Sequence, residues 1–263
     1  MSYFYFMNNS SSTQMMGFII TDETHTIIID GGTGSDAENL LNILSLCGKK
    51  IDGWFFTHPH IDHIGAFMKI AKEKLMPLPE IFLNFPPPEF VKNHTSRNQN
   101  EYKTLVAFNE LCPSFTKIKK GDVFNFGNIT LEVLRTFNPE ITSDTVNSSS
   151  AVFKVSDKKS LLILGDLSKA SGYELMNMFS QNQLKCDYTQ LSHHGQNGVD
   201  FKFYEYILPE ICLWASPKWL YNNDTGEGFD TGIFNTVRTR EWMDTLGAKK
   251  HYVEFEGPHK LEL

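Results

Sequence analysis

Apolar positions along the chain recur with two periods, and the two alternate from segment to segment. In GFIITDETHTIIIDGG (residues 17–32) two β-branched runs flank a polar turn, which predicts an antiparallel hairpin ended by Gly31 and Gly32. Residues 37–49 switch to helical spacing, with Leu40, Ile43, Leu44 and Cys47 on one face and Gly48 as the stop. IDGWFFT (51–57) is a short, mostly apolar strand suited to a buried position. IGAFMKIAKEKL (64–75) is helical, PEIFLNF (79–85) is a strand, and PPPEF (86–90) is a stiff break. NEYKTLVAFNELCP (100–113) reads as a helix.

Two further hairpins follow, at residues 117–136 around Gly127-Asn128 and at 150–166, where the second strand is nearly all apolar. Beyond them a helix (172–179), a strand (186–192), a helix (201–209), a strand (210–216), a helix (236–247) and a final strand (251–256) are expected. No repeat or linker interrupts the order, so residues 1–263 read as one domain. Hairpins in both halves with helices between them predict an α/β (α+β) sandwich, two packed sheets covered by helices in four layers. Phenylalanine occurs 21 times, which predicts an aromatic-rich core.

Charge narrows the partners. A net charge of −7 repels phosphate backbones and argues against a general nucleic-acid binder. Cys47, Cys112, Cys186 and Cys212 are far apart and lack CxxC spacing, so they read as free, mostly buried thiols of a reducing compartment. The N-terminus has aromatics but no basic segment followed by an apolar one, and no run of about 18 apolar residues occurs. The expectation is a cytoplasmic protein without a membrane span, or a secreted one whose leader has been removed.

The chemistry concentrates in THPHIDH (57–63), which holds three of the nine histidines directly after an apolar strand. Imidazoles and a carboxylate are ordinary ligands for zinc and related metals. His58 and His60 are two apart and point the same way in an extended segment, while Asp62 and His63 open the next helix and face a second point. One loop can thus serve two adjacent metals. A solvent-exposed histidine-rich loop explains the count but not this placement.

HxHxDH after a strand, written here as THPHIDHIG, resembles the metallo-β-lactamase superfamily. The resemblance implies a four-layer αββα fold and a hydrolytic centre of one or two metal ions. TIIIDGG (26–32) matches the strand that precedes the motif, which implies a supporting role for Asp30. Asp166 in SLLILGDLS, read alone, either caps the following helix or faces a metal; the resemblance makes it the carboxylate that bridges two metals. His193 and His194 follow another strand and point in different directions, one to metal and one to substrate. We take His194 as the ligand and His193 as proton donor or phosphate contact. The implied ligand set is His58 and His60 for one metal, Asp62, His63 and His194 for the other, with Asp166 between. Asp62 and His193 are the catalytic candidates.

SHHG, together with VNSSSAVFKV (146–155), resembles the branch that includes the soluble domain of the competence protein ComEC and the bacterial phosphorylcholine esterase. The likeness spans about residues 17–213. Asn147–Ser150 stands where other members carry a further metal-binding histidine, so a mononuclear site, or a metal other than Zn2+ such as Mn2+ or Fe, stays open. Asn147 and Ser150 become substrate-contact candidates, against a plain polar turn. In WASPKWLYNNDTGEG (214–228), Lys218 and Trp219 are candidates for neutralising a phosphate and stacking on the substrate, against a reading as core tryptophans in an ordinary loop. His25 reads as exposed and His251 as structural; His94, in a polar stretch at 92–100, and His259 are weaker site candidates.

The expected function is metal-dependent hydrolysis of a phosphodiester or related small ester. The alternatives are a nuclease acting on DNA or RNA and a non-catalytic metal-binding module. A redox version of the fold would call for a flavin-linked partner domain, for which this sequence shows no segment.

Overall fold

The computed structural model describes residues 1–48, 50–95 and 99–263. Fourteen strands follow in chain order among the described residues: β1 (Tyr3–Phe6), β2 (Gly17–Thr21), β3 (Thr26–Asp30), β4 (Ile51–Phe55), β5 (Glu80–Leu83), β6 (Thr116–Lys117), β7 (Val123–Phe126), β8 (Ile129–Arg135), β9 (Val152–Ser156), β10 (Ser160–Ile163), β11 (Tyr188–Gln190), β12 (Ile211–Trp214), β13 (Lys250–Val253) and β14 (His259–Glu262). The helices are α1 (Ala37–Cys47), α2 (Ile61–Glu73), α3 (Pro88–His94), α4 (Gln99–Leu111), α5 (Lys169–Met178), α6 (Gln181–Leu184), α7 (Phe201–Ile207), α8 (Lys218–Tyr221) and α9 (Thr236–Thr245). The strands form two seven-stranded sheets, ordered β14-β1-β2-β3-β4-β5-β6 and β13-β12-β11-β10-β9-β8-β7.

Each sheet changes character midway. The hairpins predicted from sequence are present as the antiparallel pairs β2–β3, β7–β8 and β9–β10. From β3 to β6 and from β10 to β13 the neighbours run parallel, because a helical crossover returns the chain to the same edge each time. That parallel half places the ends of β3, β4, β10, β11 and β12 together, the position at which open α/β sheets bind ligands.

Side chains between the sheets form the central core, with Phe4, Phe18, Ile29 and Phe55 from the first sheet meeting Leu131, Phe153, Ile163 and Leu213 from the second. Phe55 and Phe82 stack at 4.4 Å, and Phe55 meets Phe153 edge-on, contacts worth about 0.5–1.5 kcal/mol each beyond their buried area. A second cluster packs Leu40, Ile64 and Phe67 of α1 and α2 on Ile28 and Trp54. A third packs Phe203 of α7 and Met243 of α9 on Leu162 and Trp214. The four layers are therefore the αββα sandwich expected. Cys47, Cys112, Cys186 and Cys212 are free thiols. No helix among the described residues is long and apolar enough to cross a membrane.

Three sequence expectations change. Pro88 opens α3 instead of only breaking the chain, since proline fits the first helical position where no N–H is required. The expected last strand ends at Val253, residues Glu254–Glu256 form a 3-10 turn, and the chain closes with β14 against β1. β1 was not expected, although YFYF buries alternate residues in the period of a strand.

Candidate metal centre

β4 delivers THPHIDH to the parallel edge. His58 and the extended His60 precede α2, and Asp62 and His63 lie in its first turn. Gly65 lets that turn settle on the 33–34 backbone, where a Cβ would meet the Gly34 nitrogen at 2.7 Å. Asp166 follows β10. His193 and His194 follow β11 in a turn with φ of 50° and 56°, left-handed values that cost roughly 1–2 kcal/mol per non-glycine residue. The turn is held in place: the His193 amide donates to Gly165 O at 3.0 Å, and the Ser216 hydroxyl donates to His194 O. Gly195 continues the left-handed run at φ 77°, against the face of Trp214.

Two sets of three donors converge: His58, His60 and Asp166 in one, Asp62, His63 and His194 in the other. Their ligand atoms lie within 4.8 Å of one another in each set. His58 Nε2 is 3.0 Å from His60 Nδ1, and His194 Nε2 is 3.1 Å from Asp62 Oδ2. Asp166 joins the sets, with Oδ2 at 3.5 Å from His58 Nε2 and Oδ1 at 3.2 Å from His63 Nε2. Donors sharing one tetrahedral ion at bonds of about 2.0–2.2 Å stand roughly 3.2–3.6 Å apart; His58 and Asp166 match that spacing, and the His58–His60 and Asp62–His194 pairs are slightly closer.

Each histidine has a second partner on its outer side. His63 Nδ1 lies 2.7 Å from Asp30 Oδ2, and His194 Nδ1 lies 2.6 Å from Ala215 O. His58 Nδ1 lies 3.1 Å from Thr57 Oγ1, whose own proton goes to Asp30 at 2.6 Å. Such outer contacts choose the ring nitrogen that faces inward. Inward, His63 Nε2, His194 Nε2 and both oxygens of Asp166 are buried and make no hydrogen bond of good geometry, only the charge contacts with one another and with Asp62. Buried polar atoms are seldom orphaned, and four in one cluster fit a site that takes cations.

The charges agree. Burial alone would hold His63 neutral, but Asp166 and Asp30 override it and push its pKa up to about 10. His194 is likewise raised well above the ordinary range, against burial, by Asp166 and Asp62. Burial and neighbouring His63 drive His58 down to about 3. Asp166 is held well below the usual carboxylate range, against burial, by the imidazoles around it. His60 is raised too, by Glu101 and the carboxylates of the centre against burial, so imidazolium charge balances carboxylate charge where a cation would.

Asp30 is the keystone of the outer contacts. It is fully buried at φ 53°, and it accepts the Thr57 amide at 2.8 Å as well as the two contacts above. Asp30→Ala strands those donors, and a loss of about 3–5 kcal/mol is expected in chemical denaturation, with weaker metal binding measured alongside. A stability change under about 1 kcal/mol would contradict this role.

The remaining candidates fall in different places. His193 is partly exposed, with Nε2 at 3.7 Å from Asp166. Asn147 is buried and donates to Asp144 at 3.1 Å, leaving its Oδ1 unpartnered. Ser150 is fully buried, and its hydroxyl accepts the Asp166 amide at 3.1 Å, so it braces the Asp166 loop from behind. Lys218 and Trp219 line a groove of about 410 Å³ with Ser12, Asn222 and Phe255, and Trp219 donates to Ser12 O at 2.7 Å. Trp214 is core, with its Nε1 donating to His251 at 2.8 Å. His259 lies on β14 at 3.0 Å from Val253 O, and His94 is in α3 at 2.8 Å from Phe90 O; neither joins the cluster. Part of the polar stretch around His94, residues 96–98, lies outside the described residues.

Sequence reasoning missed two contacts. Gln14 donates to Asp62 Oδ2 at 2.9 Å, and Glu101 Oε1 lies 3.4 Å from His60 Nε2. Only Glu101 left a trace in the sequence, as an acid four and seven residues before the apolar Leu105 and Phe108 of a predicted helix.

Residues 16–178 match the family described as the metallo-beta-lactamase superfamily, a stretch holding all the donors except His194. Over 174 residues, 65% of this chain, the sequence is 28% identical to ComE operon protein 3 of Bacillus subtilis, in keeping with the branch read from SHHG. That match spans 20% of the relative's length. Among solved structures, the metallo-beta-lactamase fold protein YhfI of Bacillus subtilis covers 100% of both chains at a TM-score of 0.58 and 11% identity. A diphosphatase of the PhnP family gives 0.53 at 10% identity, over 100% of this chain and 98% of its own. A mutant of the β-hydroxylase CmlA gives 0.57 at 10% identity, over 100% of this chain and 54% of its own. At such identities the likeness speaks to the fold.

Proposed function

We propose that this chain, which belongs to the metallo-beta-lactamase superfamily, is a metal-dependent hydrolase acting on a phosphodiester or related small ester. The observation that carries the reading is the pair of donor sets joined by Asp166, both of whose oxygens are buried without a hydrogen bond. Zn2+ suits the nitrogen and carboxylate donors best. When bound, the metal supplies Lewis acidity and lowers the pKa of water. His58, His60 and Asp166 would hold one ion, and Asp62, His63 and His194 the other.

The chain's own groups supply the rest. Asp62 is fixed between Gln14 and His194, so its orientation is set before substrate arrives. His193 is the one histidine of the pair with an exposed edge, and burial lowers its pKa, so its ring is neutral at rest, can take a proton from the attacking water and can pass it on to the leaving group. The groove at Lys218 and Trp219 begins one residue beyond Ser216, which bonds His194, and its other wall holds Ser12, close in sequence to Gln14. It suits the distal part of a substrate, with the ammonium toward a phosphate and the indole face toward apolar or flat groups. Net charge of −7 favours a small ester over a long polyanion.

Metal analysis of the purified protein with a panel of chromogenic phosphodiesters, phosphomonoesters, lactones and thioesters tests the reading. Expected are one or two bound ions and turnover fastest with a phosphodiester. Protein that binds no metal overturns the reading; turnover of thioesters or lactones alone overturns the phosphodiester preference.

A further inference from the structure

Glu101 comes from α4, a segment outside every motif of the metal centre. Leu105 and Phe108 of that helix are buried, and Glu101 lies four and seven residues before them on the same face. The helix therefore aims a carboxylate inward with its apolar stripe, and the Glu101 and His60 side chains are 28% and 23% exposed where they meet.

The His60 ring lies between Glu101 and the cluster. Its Nδ1 is 3.0 Å from His58 Nε2, on the inner side, and its Nε2 is 3.4 Å from Glu101 Oε1, on the outer side. A carboxylate there accepts an Nε2–H and leaves the Nδ1 lone pair facing inward. The other three ligand histidines are held the opposite way, with Nδ1 engaged outward and Nε2 inward. The set served by His60 contains two imidazoles and the shared Asp166, whereas the other has two imidazoles, Asp62 and the same Asp166.

We infer that Glu101 is a positioning residue that fixes His60 as an Nδ1 ligand and strengthens it as a donor in the half of the centre that has fewer donors of its own. The inference rests on the metal-centre reading above. Glu101 stands beyond the ring and holds no ion itself.

Zn2+ affinity measured by chelator competition, with the absorption spectrum of the Co2+-substituted protein, tests it. His60→Ala identifies the ion that depends on this set. Glu101→Ala is expected to weaken that same ion about 10–100-fold and to change its Co2+ spectrum, leaving any other ion as in the parent protein. Glu101→Gln keeps an acceptor oxygen and is expected to fall between. Glu110→Ala, an exposed position of the same helix, should match the parent. Parent affinity and spectrum in Glu101→Ala overturn the inference, as does weakening confined to an ion that His60→Ala spares, or equal weakening by Glu110→Ala. A parent protein that binds neither Zn2+ nor Co2+ overturns the metal-centre reading itself, and this inference with it.

Discussion

Asp166→Asn is expected to leave the fold intact and to lower turnover about a thousand-fold or more. Asparagine has nearly the shape of aspartate, and the Asp166 amide keeps its bond to the Ser150 hydroxyl, so the loop after β10 has no reason to move. What disappears is one negative charge at the point both donor sets share. Asp166 is 1% exposed and stands within 3.7 Å of a nitrogen on each of His58, His63, His193 and His194. Opposite unit charges about 4 Å apart interact by about 4 kcal/mol at an effective dielectric near 20, and each 1.36 kcal/mol is a factor of about ten in rate. The raised pKa values of His63 and His194 depend first on Asp166 once burial is counted, so the variant's imidazoles shed protons rather than stay charged and uncompensated. Circular dichroism and steady-state kinetics on a substrate the parent protein turns over are the measurements. Turnover within about tenfold of the parent would remove Asp166 from the bridging position.

His58, His60, Asp62 and His63 were legible in the sequence because the loop carries all four within six residues, so local geometry decides where they point. The four layers were legible for a related reason, since alternation and helical spacing report burial on each element separately. Parallel pairing was less so: the run SLLIL fits a hairpin partner or a doubly covered parallel strand equally well, and β10 is both, antiparallel to β9 and parallel to β11. Asp166 and His194 needed the family resemblance, because a lone carboxylate or histidine at a strand end has several ordinary uses. Gln14 and Glu101 reach the site across 48 and 41 residues of chain, and no local pattern encodes such a meeting. Ser150 shows how burial redirects a polar side chain. A polar run suggested substrate contact, whereas burial turned its hydroxyl to the Asp166 backbone.

Metal-free protein is expected to lose stability as pH rises from about 6.5 toward 10, and Zn2+ is expected to reverse that slope. Free histidine in the unfolded chain titrates near 6.5, whereas folded His63 holds its proton up to about 10. A group whose folded pKa is raised contributes fully below the unfolded value and loses the contribution as pH climbs through the folded one. His194 is shifted in the same direction. Asp62 and Asp166 are lowered, so their contribution is present above the unfolded carboxylate range and lost on acidification. Metal needs a bare inward nitrogen on His60, His63 and His194, whose pKa values are all raised, so uptake near pH 8 should release protons from these imidazoles; His58, driven down to about 3, is already neutral and adds none. Calorimetric titration in buffers of different ionisation enthalpy measures that release directly. Saturation at about a thousand times the dissociation constant adds roughly 4 kcal/mol per ion, and because fewer protons must leave at higher pH, the gain grows just where the metal-free protein weakens. A heat of binding that does not depend on the buffer, or a stabilisation by Zn2+ that shrinks between pH 6.5 and 8.5, would mean that the imidazolium charges are not standing where the cations bind.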